Sequence, residues 1–291
     1  MPGAMRQIVP HQELNSLVLS KTIVITGASD GIGAAAARQL AADGHRLILL
    51  GRSPEKTKAI ADELGAQAIV ADFARLDDVC LALDQILAAT SHIDVLVHNA
   101  GLISGKTRVV TEDGFELTNQ VNYLAPFLLD HLLLPFLLTS HATVVATSSL
   151  AHWMGRINLN DLDHTTDYAS FRAYGTSKLA LLMHIRELQR RYGGDGVNGV
   201  AFHPGIVSSN FSHGSGTWIE RFYIGPLKVL LPTTPAKAAN TLVFLAEGAS
   251  QVDFPPGGYI VRRKPALSRA ISHDVRAADA LWRRTEQVLG L

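Results

Sequence analysis

The chain has a single cysteine, Cys80, among 291 residues. That excludes an intramolecular disulfide and a cysteine-built metal site, and it fits a reducing, cytoplasmic setting. A charge excess of either sign is also missing, because 26 basic residues meet 26 acidic ones. The broad positive field that holds nucleic acid by its phosphates is therefore absent, and nucleic acid is not an expected partner. No signal peptide is read at the start, which lacks a basic segment followed by a sustained apolar run and a small-residue cleavage site. The most apolar stretch, 121–138, is broken by Asn122, Pro126, Asp130, His131 and Pro135. It is wrong for a lipid-exposed span and reads as a buried helix, so no transmembrane segment is expected. The twelve histidines never form a paired helical motif with a carboxylate, so no metal is expected. Cys80 sits in an apolar helical pattern and reads as core.

With 47% hydrophobic and 18% charged residues, the composition is that of a folded globular protein. After a lead-in over 1–20, residues 21–26 form a β-branched apolar run that ends in glycines, and 34–40 have strong helix propensity. The alternation repeats: strands are expected at 46–50, 68–70, 93–97, 143–146 and 196–202, with helices at 54–64, 76–89, 114–138 and 171–191. Such spacing predicts an α/β fold, a single doubly wound domain over 1–291 with a mostly parallel six- or seven-stranded sheet. The stretch 208–232 mixes glycine, serine, proline and aromatic residues just past a strand end and reads as a substrate lid. Beyond it, 235–247 and 275–289 read as helices and 257–261 as a last strand.

The segment TGASDGIG, from Thr26 to Gly33, follows the first strand and opens the first helix. Gly27 permits the tight turn, Gly31 lets the backbone approach a pyrophosphate, and Gly33 allows close packing of helix on sheet. The helix N-terminus offers amide donors and a favourable dipole to phosphates. Ser29, Asp30 and Ile32 complete this dinucleotide loop, whose bland alternative is a plain strand-helix turn. At the end of the second strand, where a carboxylate would hold the ribose hydroxyl of NAD, the chain reads Leu50, Gly51, Arg52, Ser53. Arg52 can pair with a 2′-phosphate and Ser53 can add a hydrogen bond, so NADP(H) is the preferred cofactor, with NAD(H) the alternative. Asp30 argues mildly the other way, and Arg52 could be an ordinary surface charge. Asp72 and Phe73, at the end of the third strand, suit the border of an adenine ring, though Asp72 could equally cap the next helix.

Tyr174 and Lys178 stand four residues apart in YGTSK, one turn apart on one helix face. A phenol is a poor base at neutral pH, but a neighbouring ammonium stabilises the phenolate. Alone, this pair would read as a helical surface pair. Taken in order, TGASDGIG, HNAG at 98–101, Asn122, Ser148 with Ser149, Tyr174 with Lys178, and HPG at 203–205 resemble the short-chain dehydrogenase/reductase family along the whole chain. SSLAH at 148–152, HPGIVSSN at 203–210 and Leu281 with Trp282 are loosely similar to its retinol dehydrogenase and protochlorophyllide reductase branch.

The resemblance implies a nicotinamide-dependent oxidoreductase acting on a carbonyl or alcohol. It makes Tyr174 the general acid/base and Lys178 the residue that lowers its pKa and bonds the nicotinamide ribose. Ser149 becomes the residue that orients the substrate oxygen, in preference to Ser148, and Asn122 the one that holds a relay water. Asn99, Ala100 and Gly101 correspond to the loop beside the adenine-side ribose. His98 replaces the first asparagine of the commoner NNAG form. Pro204, Gly205, Val207 and Ser209 correspond to the turn beside the nicotinamide. His152 and His203 are expected to shape the pocket.

Two alternatives use the same scaffold. One is a non-catalytic nucleotide-binding regulatory protein, which would have no use for the proton relay. The other is a lyase or epimerase that does not consume nicotinamide. Phe211, Trp218, Ile219, Phe222, Tyr223 and Ile224 in the lid, with Trp153, Met154 and Tyr168, could wall an apolar small-molecule substrate or equally be packing. The helices around Asn122 and Tyr174 resemble those that pair between subunits in the family, which implies a homodimer or homotetramer.

Overall fold

The computed structural model describes residues 20–205 and 233–291. The lead-in before residue 20 and the expected lid therefore lie outside the described residues. Seven parallel strands, β1 (Thr22–Thr26), β2 (Arg46–Gly51), β3 (Gln67–Val70), β4 (Val95–His98), β5 (Thr143–Thr147), β6 (Asn198–His203) and β7 (Tyr259–Val261), are joined at one edge by a short antiparallel strand, β8 (Lys264–Pro265). The order is β3-β2-β1-β4-β5-β6-β7-β8. The parallel count is the upper one expected. The return strand β8 was not foreseen, because two residues containing a proline carry no periodicity.

The strands are apolar without alternation because both faces are covered. Val24, Ile48, Leu50, Leu96 and Val144 enter one core; Ile23, Ile25, Leu47, Leu49, Val95, Val97 and Val145 enter the other. The second core is closed by α1 (Gly31–Ala42) and a helix at Pro235–Glu247. The first is closed by α3 (Leu76–Ala89), α4 (Leu117–Ser140), α5 (Ser170–Tyr192) and a C-terminal helix at Val275–Leu289, while α2 (Pro54–Leu64) links β2 to β3. By length and composition alone α4 could cross a membrane, but most of its apolar window is buried inside the fold.

Cys80 is exposed, against expectation. Val79, Ala82 and Ile86 turn the inner face of α3 to the core, and Cys80 stands off that face despite its apolar neighbours.

α4 is not uniform. Residues Gln120–Leu124 form a π-helical turn in which the Ala125 amide donates to the Gln120 carbonyl, five residues back. Pro126 follows and has no N–H, so the Asn122 carbonyl has no donor four residues ahead. The strand order reverses between β1 and β4, which places a crevice beyond their carboxyl ends.

Candidate active site

A cavity of about 300 Å³ opens there, along the ends of β1 to β6 and the first turns of α5. Its floor is fixed by one threonine. The Thr26 hydroxyl donates to the Val97 carbonyl at 3.1 Å and accepts the amides of Asn99 and Ala100 at 3.0 and 3.1 Å. The Asn99 side-chain amide in turn donates to the carbonyls of Thr26 and Gly27, each at 3.2 Å. Gly27 has φ +65°, and a Cβ there would lie 2.7 Å from Ala100 Cα. Glycine is thus required both by the turn and by the packing of the two loops.

Gly27, Ser29, Asp30, Gly31 and Ile32 line the adenosine end, as do Arg52, Asp72 and Phe73. Gly33 does not reach the cavity. A Cβ on it would meet the Gly27 carbonyl at 2.3 Å and Asn99 Nδ2 at 2.6 Å, so it serves the loop from behind. Ser53 is not on the cavity wall either. Its hydroxyl is the N-cap of α2, accepting the Lys56 amide. Sequence reasoning missed a cation here: Lys56 Nζ lies 3.5 Å from Asp30 on the exposed rim, beside the carboxylate that caps α1. Asp72 borders the cavity and accepts the Ala74 amide at 3.0 Å; it does not cap α3, whose N-cap is Arg75.

Asn99, Ala100, Gly101, Ser149, Tyr174, Lys178, Pro204 and Gly205 line the other end. Val207 and Ser209 lie outside the described residues. Sequence reasoning did not place Leu50, Gly51, Ala71, Leu102, Val121 and Thr147 on this wall, because they are apolar or backbone contributors without a chemical signature.

The Lys178 ammonium is fully buried; it donates to the Thr147 carbonyl at 2.8 Å and lies 6.0 Å from the centre of the Tyr174 ring. Burial lowers its pKa to about 7. Ser149 begins the 3-10 turn Leu150–Met154, accepting the Ala151 amide, and stays partly open to the cavity. Ser148 also lines the cavity, but its hydroxyl donates to the Lys178 carbonyl. Asn122 is fully buried behind the wall: its Oδ1 accepts the Leu102 amide at 2.8 Å, and its Nδ2 donates to the Leu102 carbonyl and to Ser177 Oγ.

Two glycines set the spacing between Ser149 and Tyr174. A Cβ on Gly175 would stand 2.6 Å from the Ala151 carbonyl, and one on Gly155 would stand 2.4 Å from the Gly175 carbonyl. The turn after β5 is thereby pressed directly on α5.

His203 lines the cavity and is mostly buried; burial, with His152 and Arg262 nearby, lowers its pKa to about 4. His152 bonds the Ser149 carbonyl through Nδ1 at 2.6 Å. Trp153, Met154 and Tyr168 do not line the cavity; the first two are exposed, and the Tyr168 hydroxyl donates to the Gly105 carbonyl.

Residues 21–220 match the family model for short chain dehydrogenases. The chain belongs to the short-chain dehydrogenase/reductase family. It is 36% identical over 286 residues to dehydrogenase/reductase SDR family member 13 of Bos taurus, covering 93% of this chain and 74% of that one. To retinol dehydrogenase 13 of Homo sapiens it is 33% identical over 283 residues, covering 93% and 85%. A crystal structure of an uncharacterised protein from Mycobacterium paratuberculosis superposes with TM-score 0.73 at 33% identity, covering 93% of both chains. The oxidoreductase is thus of the retinol dehydrogenase branch.

Proposed function

We propose that the protein is an NADP(H)-dependent reductase or dehydrogenase of a hydrophobic carbonyl or alcohol, working through Tyr174, Lys178, Ser149 and Asn122. The observation that carries this reading is the buried Lys178 ammonium, held on the Thr147 carbonyl beside Tyr174 in the cavity that the glycine loop also lines. The residues fit a dinucleotide. The turn at Gly27 and the start of α1 line the cavity, which sets a helix N-terminus where a pyrophosphate would lie. Arg52 stands exposed on the rim where a ribose phosphate would project, and Arg52 and Ser53 occupy the end of β2 where a carboxylate would hold the ribose hydroxyl of NAD.

When bound, the nicotinamide supplies or takes the hydride at the substrate carbon. Ser149 and Tyr174 hold the substrate oxygen by hydrogen bonds, which polarises the carbonyl. Tyr174 gives its phenolic proton to the forming alkoxide, or takes it back in oxidation. The Lys178 ammonium favours the phenolate that remains. Asn122, fixed behind the wall by its bonds to Leu102 and Ser177, is the residue to hold the water that restores the proton. A hydrophobic substrate is favoured by the apolar Leu102 and Val121 on the cavity wall and by the likeness to a retinol dehydrogenase.

The test is a titration of NADPH and NADH into wild type and Arg52→Ala, followed by turnover of retinoid and aliphatic aldehydes by wild type and Tyr174→Phe. NADPH is expected to bind at least tenfold more tightly than NADH, with the advantage lost in Arg52→Ala. Tyr174→Phe is expected to bind NADPH normally and lose turnover by about three orders of magnitude. Tighter NADH binding would overturn the role of Arg52. Full turnover in Tyr174→Phe would overturn the mechanism.

A further inference from the structure

Behind the cofactor-side loop, three ionisable side chains meet away from solvent. Asp130 on α4 faces Nε2 of His98, the last residue of β4, through Oδ1 at 2.7 Å, and Nε2 of His184 on α5 through Oδ2 at 2.7 Å. All three side chains are buried. Burial alone would raise the Asp130 carboxyl, but the attraction of His98 and the hydrogen bonds from both rings outweigh it and hold it at about 2. The group is therefore a carboxylate, which can only accept, so each ring donates through Nε2–H.

Nδ1 of His98 and Nδ1 of His184 are both buried without a partner. Around His184 the shell is aromatic, with Phe127 at 4.9 Å and Trp282 stacked at 5.2 Å. The carboxylate therefore fixes a proton on Nε2 of both histidines. No step of the chemistry above uses it.

Its connections give it a role. His98 is followed directly by Asn99, Ala100 and Gly101, Asn122 lies two turns before Asp130 on α4, and Lys178 lies six residues before His184 on α5. We propose that Asp130 is a positioning residue which, through His98 and His184, fixes the cofactor-side loop, the Asn122 helix and the Tyr174–Lys178 helix in one register. The inference rests on the nucleotide-binding reading for its effect on affinity, but not for its effect on structure. Removal of either ring donor leaves a buried carboxylate short of a partner it cannot replace, and the strain is passed to the remaining arm.

The experiment compares wild type, His98→Asn, His184→Phe and the double variant by NADPH titration and by two-dimensional amide spectra of the nucleotide-free protein. His184→Phe keeps a ring for the aromatic stack and removes only the donor; it lies off the cavity wall. It is expected to weaken NADPH about fivefold and to move the amide signals of Asn99 and Ala100, across the sheet end from the mutation. The double variant is expected to bind no more weakly than the worse single one, since both cut the same link. Unchanged affinity with unmoved Asn99 and Ala100 signals, or effects that multiply, would overturn the proposal.

If His184→Phe does not fold, Asp130→Asn replaces it. An amide can serve both rings only if one imidazole gives up its Nε2 proton, and imidazole nitrogen spectra must then show that change at one histidine; two unchanged rings overturn the proposal. If wild type binds neither nicotinamide nucleotide, the functional reading fails by itself, and the Asn99 and Ala100 signals decide this inference.

Discussion

Lys178 donates its ammonium hydrogen bond to the Thr147 carbonyl at 2.8 Å, so the helix that carries Tyr174 is fastened to the end of β5 by a charged group with no carboxylate beside it among the described residues. Holding a cation there costs stability, and the cost depends on pH. Below about pH 7 the lysine is protonated in the folded and unfolded chains alike, and the penalty is present in full. Between about 7 and the ordinary 10.5, the unfolded chain binds a proton that the folded chain does not, so stability rises with pH. Near pH 10 the trend reverses, because burial raises the hydroxyls of Tyr123 and Tyr259 and the unfolded chain ionises first. Thermal melts of nucleotide-free protein should therefore show Tm climbing from pH 7 to 9.5. Lys178→Met should remove most of that climb and leave the residue due to Lys21, which burial also lowers.

The two serines after β5 should separate cleanly. Ser149→Ala is expected to lower kcat/KM by about 100-fold or more, the scale of losing one donor to a developing oxyanion, with NADPH affinity retained. Ser148→Ala removes a buried hydroxyl bonded to the Lys178 carbonyl and should cost about 1 kcal/mol of stability, with a smaller loss of turnover. Steady-state kinetics beside chemical denaturation would show the split; equal kinetic losses would refute the assignment.

Gly175→Ala should be worse than its helical position suggests. Alanine normally favours a helix, yet here its Cβ would stand 2.6 Å from the Ala151 carbonyl. The expected result is a loss of about 1–3 kcal/mol together with a fall in kcat that exceeds any change in NADPH affinity, because the Ser149 turn is pushed off α5. Denaturation and kinetics on the one variant test both parts.

Much of this was legible in order along the chain. Glycine and β-branched runs marked β1 to β6 to within about two residues, since each strand is buried on both faces and is punctuated by turns. Gly27, Arg52, Asn99, Tyr174 and Lys178 could be placed on one wall because motif spacing ties them to strand ends. The illegible parts are contacts between distant segments. Nothing local says that Gly155 meets Gly175, that Lys56 stands beside Asp30, or that His98 and His184 share Asp130. Cys80 misled for a related reason: in a helix as apolar as α3, composition does not say which residue faces out.

Asp30 and Lys56 give a prediction about cofactor choice. Asp30→Asn keeps a side-chain oxygen for the α1 cap but removes the rim charge that neutralises Lys56. NADPH should then bind a few-fold more tightly and NADH nearly as before, with the difference shrinking at high salt because the pair is exposed. Isothermal titration at two ionic strengths would decide it. A gain shared equally by both nucleotides would show that the extra phosphate does not lie at this rim.

The π-helical turn at Gln120–Leu124 makes α4 two helices of different phase on a shared axis. An ideal α-helix advances about 100° per residue, so the surplus residue decouples the direction in which Asn122 faces from the direction in which Phe127, Leu129 and Leu133 face. The rear half can be recomposed to suit the core without rotating the asparagine, and a one-residue deletion at the wide turn would bring the halves into phase and swing Asn122 away from Leu102.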